Sequence, residues 1–180
     1  KVLFQKNLKV HITKEPTQTS LGDFTRQEAE CLQQDSLACL VAADRYNHLS
    51  SCIIPHLKKG YIVITDRYIL SSLALQRMDN VDVDFILNIN SNILLPDVQI
   101  IVEADSEIIQ QRLNQRNQLT RFERGNRTLE EMHFFRCGCN ILYGLGIRVV
   151  TIDNSKNFDA NVQYIVQTIL GGLSNEMPFI

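Results

Sequence analysis

The residues of this 180-residue chain best suited to chemistry sit where short apolar runs end. The run Tyr61–Thr65 passes into Asp66-Arg67-Tyr68. In an open parallel α/β sheet, ligands gather beyond the carboxyl ends of the strands. An acid there can hold Mg²⁺, directly or through water, and an adjacent Arg can meet a phosphate. Alone, an Asp-Arg pair also suits a surface ion pair or a helix cap. Ser71, Ser72 and Gln76 follow on a helical pattern. Ser72 and Gln76 are four residues apart and share one face; a hydroxyl and an amide there can hydrogen-bond the edge of a base, while Ser71 taken singly reads as a cap. Upstream, Leu8–Thr13 leads into Lys14-Glu15-Pro16-Thr17, and Thr19, Ser20 and Gly22 open the next helix. Ala42-Ala43-Asp44-Arg45, with His48, lies inside a long helical stretch. Arg45 there either snorkels at the surface or points into a cleft toward a phosphate or base.

Charge is uneven. From Arg112 to Arg127 there are five Arg (112, 116, 121, 124 and 127) and one acid, Glu123, a local +4 against −6 for the remainder. This is either a solvated helix end or a basic lid for a nucleotide phosphate, for which the planar fork of Arg is suited. His133, Cys137 and Cys139 hint at zinc, but Cys137 and Cys139, two apart on a helix, face different ways, and no fourth ligand is apparent. No Ser/His/Asp or Cys/His spacing marks a nucleophile.

The elements that must position these residues follow from the apolar pattern. Leu8–Thr13, Tyr61–Thr65, Val98–Val102 and Ile147–Ile152 are near-continuous apolar runs, as expected of parallel strands buried on both faces. Helical patterns lie between them, at about 22–35, 37–58, 71–90, 105–117, 127–143 and 158–171. The alternation predicts an α/β fold in one domain. At 44% hydrophobic, the chain can bury a core without staples and is neither disordered nor collagen-like. A net charge of −2 leaves no global basic footprint for a nucleic acid polymer. No apolar run reaches the roughly 18 residues of a membrane span, and no secretory signal is visible. Five scattered Cys read as reduced thiols, pointing to the cytoplasm.

Taken in order, Thr13-Lys-Glu-Pro-Thr with Leu21-Gly22, Ala42-Ala-Asp-Arg with His48, Ile64-Thr-Asp-Arg-Tyr-Ile-Leu-Ser-Ser-Leu-Ala-Leu-Gln76, Pro96-Asp97, Arg112 with Arg116, Arg121-Phe-Glu and Ile152-Asp153 resemble the thymidylate (dTMP) kinases, P-loop nucleoside monophosphate kinases, over about residues 8–170. The resemblance implies an α/β fold of P-loop kinase type, a three-layer parallel sheet flanked by helices with a short Arg-rich lid at about 117–128. It implies transfer of the γ-phosphate of ATP to dTMP with Mg²⁺, in a homodimer. By position, it implies that Glu15 and Pro16 line the monophosphate site, that Arg45 contacts the acceptor, and that Asp66 lies near Mg²⁺. Arg67 would touch the phosphates, and Ser72 and Gln76 the thymine edge. Arg112 and Arg116 would face ATP, Arg121 would open the lid with Arg124 beyond it, and Asp153 would lie near the adenine.

Three departures stand out. Val41 and Leu75 occupy positions where the family usually places aromatics, and lost ring stacking can cost about 1–3 kcal/mol. Thr120 replaces the lid's usual Asp. No Gly-x-x-x-x-Gly-Lys-Ser/Thr, the loop that cradles donor phosphates, occurs in the sequence. The chain is therefore read as N-terminally incomplete, with a first strand, the loop and most of one helix preceding Lys1; alternatively Lys1–Phe4 is itself the first strand, with the loop and helix left out after Gln5. Two other functions share these features. One is a deoxynucleoside kinase, in which Glu15 would serve as general base to a 5′-hydroxyl. The other is a nucleotide-binding relative without catalysis.

Overall fold

The computed structural model describes residues 1–124, 127–155 and 157–175. Four parallel strands alternate with helices, forming two ribbons of two strands each. β1 (Val10–Lys14) pairs with β2 (Ile62–Asp66), placing Val10 opposite Ile62 and Lys14 opposite Asp66. β3 (Val98–Glu103) pairs with β4 (Arg148–Asp153), placing Glu103 opposite Asp153. All four expected strands are present, shifted by at most two residues from their apolar runs. The polar residues that end each run, Lys14, Asp66, Glu103 and Asp153, are the last members of the strands.

Helices α1 (Val2–Gln5), α2 (Ser20–Glu28), α3 (Gln34–His48), α4 (Ile54–Lys58), α5 (Ile69–Met78), α6 (Val83–Ile89), α7 (Ser106–Asn114), α8 (Thr128–Gly144) and α9 (Phe158–Asn175) complete the described chain. Val2–Gln5 is helical, which corrects the reading of Lys1–Phe4 as a strand. The long helix expected at 37–58 is interrupted by a π-helical turn at Leu49–Ile53. The one expected at 71–90 breaks in two: Asn80 adopts φ +63°, and the Asp82 carboxylate accepts from the backbone N–H groups of Asp84 and Phe85 to cap α6. Asn tolerates the left-handed conformation and Asp is a favoured cap, so the break is written in local residue types.

The main core joins α5, α6 and α8 to the strands through Leu70, Leu73, Ile86, Ile101 and Leu142. A fully buried Leu of this kind contributes about 1.5–3 kcal/mol. Gly138 lets α8 approach α5: a Cβ there would lie 2.8 Å from Leu70 Cδ1 and 3.2 Å from Leu73 Cβ. A smaller core unites Leu3, Val10 and Val166.

The strands are not buried on both faces as their composition predicts. Ile12, Ile64 and Val102 are 63%, 36% and 58% exposed. Between the ribbons, β2 and β3 line the two sides of a cavity of about 900 Å³, with Ile165, Thr168 and Ile169 of α9 closing part of it. The two strands do not pair with each other. Apolar composition specifies what a strand face prefers to touch, and here that preference is only partly met by the described residues.

Candidate active site

Beyond the carboxyl ends of β1 and β2 the chain assembles a buried polar cluster. Its foundation is the turn after β1. The buried Asp44 carboxylate on α3 accepts from the Thr17 backbone N–H at 2.7 Å and from the Thr17 hydroxyl at 2.6 Å. Thr19 caps α2 by accepting from Gly22 N–H, and Arg26 donates to the carbonyls of Pro16 and Thr17 at 2.6 and 2.7 Å. Gly22 is required by close approach: a Cβ there would sit 2.0 Å from the Thr17 carbonyl oxygen. The Glu15–Pro16 peptide is cis, and Glu15 N–H donates to the Asp66 carbonyl at 3.0 Å, joining this turn to the end of β2.

Arg45 occupies the centre. It is 1% exposed, so it does not snorkel. Its Nε and Nη2 each lie 2.9 Å from Glu15 Oε2, and Nη1 donates to Ser72 Oγ at 3.1 Å and to Asn90 Oδ1 at 2.8 Å. The guanidinium also lies 5.2 Å from the centre of the Tyr68 ring. The other Glu15 oxygen, Oε1, is 3.2 Å from His48 Nδ1, whose Nε2 is 2.8 Å from Thr13 Oγ1. A buried charge needs this degree of compensation, because an unpaired one costs several kcal/mol. Tyr68 donates its hydroxyl to the Leu94 carbonyl at 2.8 Å, and burial, reinforced by Glu15, pushes its pKa well above the ordinary tyrosine value.

One turn along α5 from Ser72 lies Gln76, 4% exposed, whose amide oxygen has no hydrogen-bond partner among the described residues. Leu75 and Ala42 are buried nearby in sequence, and Val41 is half-buried. Asp66 and Arg67 are exposed at the rim. Arg67 has φ +68°, and its carbonyl accepts from the Thr65 hydroxyl at 2.9 Å. Glu15, Pro16, Arg45, Asp66, Arg67, Ser72 and Gln76 are thus brought to one end of the β1–β2 ribbon. Ser71 does not cap α5; Tyr68 holds that position without a side-chain cap.

The remaining candidates fall into two groups. Arg112 donates to the Asn154 carbonyl at 3.3 Å, beside Asp153, whose Oδ1 accepts from Ser155 N–H at 2.8 Å. These residues meet at the end of the β3–β4 ribbon. The Arg-rich segment expected to form a lid is the second group. Arg116 lies 2.6 Å from Glu123, and the Glu123 carboxylate also accepts from the Thr120 N–H and hydroxyl. Arg121 pairs with Asp79 at the end of α5 and lies 4.5 Å from the centre of the Phe122 ring, while Arg124 pairs with Glu30. Burial lowers the Arg121 pKa against the pull of Glu30. Gly125 and Asn126 of the expected lid lie outside the described residues. The segment expected to form a lid therefore rests on α5 and on the segment after α2. Arg67 acts electrostatically on both Glu123 and Glu131, linking it to the first group.

Asn90 was not singled out by sequence reading. It sits 45 residues from Arg45, and a lone Asn after a short helix carries no pattern. Its amide donates to the Ile86 carbonyl at 2.8 Å, which fixes Oδ1 as the acceptor for Arg45. Asp44 and His48 lay within the quoted motif but had no assigned part; at i and i+4 on one helix they straddle Arg45, the pattern that could have revealed them.

Comparison with known proteins accords with this arrangement. The thymidylate kinase family model matches residues 1–165. A probable thymidylate kinase of Caldivirga maquilingensis is 38% identical over 134 residues, covering 71% of this chain and 65% of the relative. That of Pyrobaculum aerophilum is 37% identical over 127 residues, covering 67% and 65%. The chain thus spans just under two thirds of the length of these curated relatives. The solved thymidylate kinase of Candida albicans superposes with a TM-score of 0.73 at 19% identity, covering 95% of this chain and 85% of that one; this likeness supports the fold, an α/β arrangement of P-loop kinase type. With the family model matching nearly the whole length, the chain belongs to the thymidylate kinase family.

Proposed function

We propose that this chain forms the acceptor side of a thymidylate kinase, within a single nucleotide-kinase domain that transfers the γ-phosphoryl group of ATP to dTMP and yields dTDP and ADP. The observation that carries the reading is Gln76. A buried carbonyl without a partner costs about 1–3 kcal/mol. The imide N–H of thymine would satisfy it, and the Gln76 amide N–H would reach a thymine carbonyl. Cytosine lacks that ring donor, so the same oxygen selects against it. Leu75 and Val41 would pack the faces of the base in place of aromatic rings.

The acceptor's own phosphate oxygen would form the new bond to the γ-phosphorus as the bond to the β–γ bridging oxygen breaks, so no protein nucleophile is needed. The chain's work is placement and charge. Asp66, whose carboxylate accepts no hydrogen bond from the other described residues, fits a role in holding Mg²⁺, which would screen charge on the donor phosphates. Arg67 would neutralise the transferring oxygens, and Arg121, freed from Asp79, would close over them with Arg124 and Arg116. Arg112 and Asp153 would face the donor nucleotide. Arg45 positions Glu15 and Ser72 around the acceptor. The donor-phosphate loop would be delivered by a strand seated between β2 and β3, where the cavity is bordered by both. The cytoplasm is the compartment this reading implies, and a homodimer the assembly. No helix among the described residues is long and apolar enough to cross a membrane.

The deoxynucleoside-kinase reading fares less well, because both Glu15 oxygens already face cationic or imidazole nitrogens. The test is an acceptor screen with ATP on the full-length protein. dTMP should be phosphorylated in preference to dCMP, and thymidine should not react. Phosphorylation of thymidine instead, or equal use of dCMP, would overturn the proposal.

A further inference from the structure

Away from the nucleotide cluster, three metal-ligating side chains converge. His11 lies on β1, Cys52 in the π-helical turn and His56 on α4. His11 Nε2 is 3.1 Å from Cys52 Sγ, and Cys52 Sγ is 3.9 Å from His56 Nδ1. The ligand atoms of all three lie within 4.8 Å of one another. With Zn–N and Zn–S bonds of about 2.05 and 2.3 Å, the N···S edge of a tetrahedral site is about 3.6 Å, between the two observed distances. All three residues are half-buried, so an ion can reach them.

The backbone feature that makes this possible is the π turn. It places Cys52 toward the strand that carries His11, and such turns recur at functional positions in helices. The two imidazole rings are stacked, with centroids 3.7 Å apart and an angle of 13° between planes. Neutral imidazole is the form that ligates.

We propose that His11, Cys52 and His56 form a binding site for a borderline-soft divalent cation of the Zn²⁺ class. Two imidazoles and one thiolate select against Mg²⁺ and Ca²⁺, which prefer oxygen. Among the described residues no fourth protein ligand joins the three, so water would complete the tetrahedron. Loading requires the rings to splay from their stack and His56 to take the tautomer with its proton on Nε2, which frees Nδ1, now 2.8 Å from the Cys52 carbonyl, to bind the ion. The thiol proton is released to solvent. The ion would tie β1 to the π turn and α4, a structural clamp separate from the phosphoryl-transfer groups.

The test titrates the full chain with Co²⁺ as a spectroscopic stand-in for Zn²⁺. A thiolate-to-cobalt absorption band should saturate at one ion per chain and be displaced by Zn²⁺. Cys52→Ser should abolish it, and His11→Asn or His56→Asn should weaken binding about tenfold or more. Cys137→Ser should leave it intact; that thiol lies 3.5 Å from His133 and is the competing site. In parallel, Zn²⁺ should protect Cys52 of the unaltered protein from alkylation, mapped by mass spectrometry, which needs no variant to fold. Absence of a band, its loss in Cys137→Ser alone, or unchanged Cys52 alkylation would each overturn the proposal.

Discussion

Arg45 and Arg67 lie at the same end of the β1–β2 ribbon yet should respond to mutation in opposite ways. Arg45 is enclosed and serves Glu15, Ser72 and Asn90 at once. Replacing it with Met removes one partner of a buried ion pair, which costs about 3–5 kcal/mol; urea denaturation should show a loss of that order. Arg67 is exposed, and Arg67→Ala should leave the urea midpoint nearly unchanged while lowering kcat by about 100-fold or more in the full-length protein. An unchanged kcat would remove Arg67 from the site. Gln76→Leu makes a third contrast. It deletes an unsatisfied buried oxygen, so thermal stability should hold or rise, while the Kd for dTMP rises about tenfold or more and that for ATP is unaffected. Equal weakening of both nucleotides would make Gln76 structural. Arg45 also shows where residue-level reading stops. Its type and its place in the motif were legible, but Asn90 and the doubly engaged Glu15 depend on contacts 30 to 45 residues apart, which no local pattern encodes.

Two elements carry the site, and each can be perturbed by itself. The turn between β1 and α2 depends on Gly22 lying against the Thr17 carbonyl. Gly22→Ala places a methyl into that oxygen, so the backbone must shift, with an expected loss of about 2 kcal/mol or more; Thr19→Ala, removing only the cap, should cost about 1 kcal/mol. Calorimetry on the two variants checks the order. In the lid, burial raises the Glu123 pKa, but hydrogen bonds from Thr120 and the charges of Arg116 and Arg67 outweigh it, and the net shift is downward from 4.5. A depressed carboxylate stabilises above its unfolded pKa and loses that contribution as pH falls through the folded value. Hydrogen-exchange protection factors over residues 117–124, corrected for the intrinsic pH dependence of exchange, should therefore be constant from pH 7 to 5 and fall below about pH 4.5. A lid that loosens between pH 7 and 6 would contradict this assignment. The strands and most helices were legible from apolar period alone. The breaks at Leu49–Ile53 and Asp79–Asp82 were less so: the second is marked by an Asn and an Asp, and the first by Pro55 just beyond it, whose missing N–H interrupts the helical ladder.

At the scale of the whole molecule, each ribbon is paired along one side and open along the other. Within each ribbon, parallel register is complete, and helices cover one face through the α5–α8 core. The exposed Ile12, Ile64 and Val102 belong to strands whose apolar composition predicted full burial, so here the sequence anticipates more cover than the described chain supplies. Among the described residues no strand pairs with the inner rims of β2 and β3, where the Ile100 carbonyl accepts from the Gln99 side-chain amide and aliphatic side chains flank the backbone. Such rims behave as adhesive templates for any extended chain that meets them. Concentrated solutions of the 180-residue chain should scatter light progressively, and a Lys placed at Ile64 or Val102 should suppress the scattering without disturbing the helical circular dichroism.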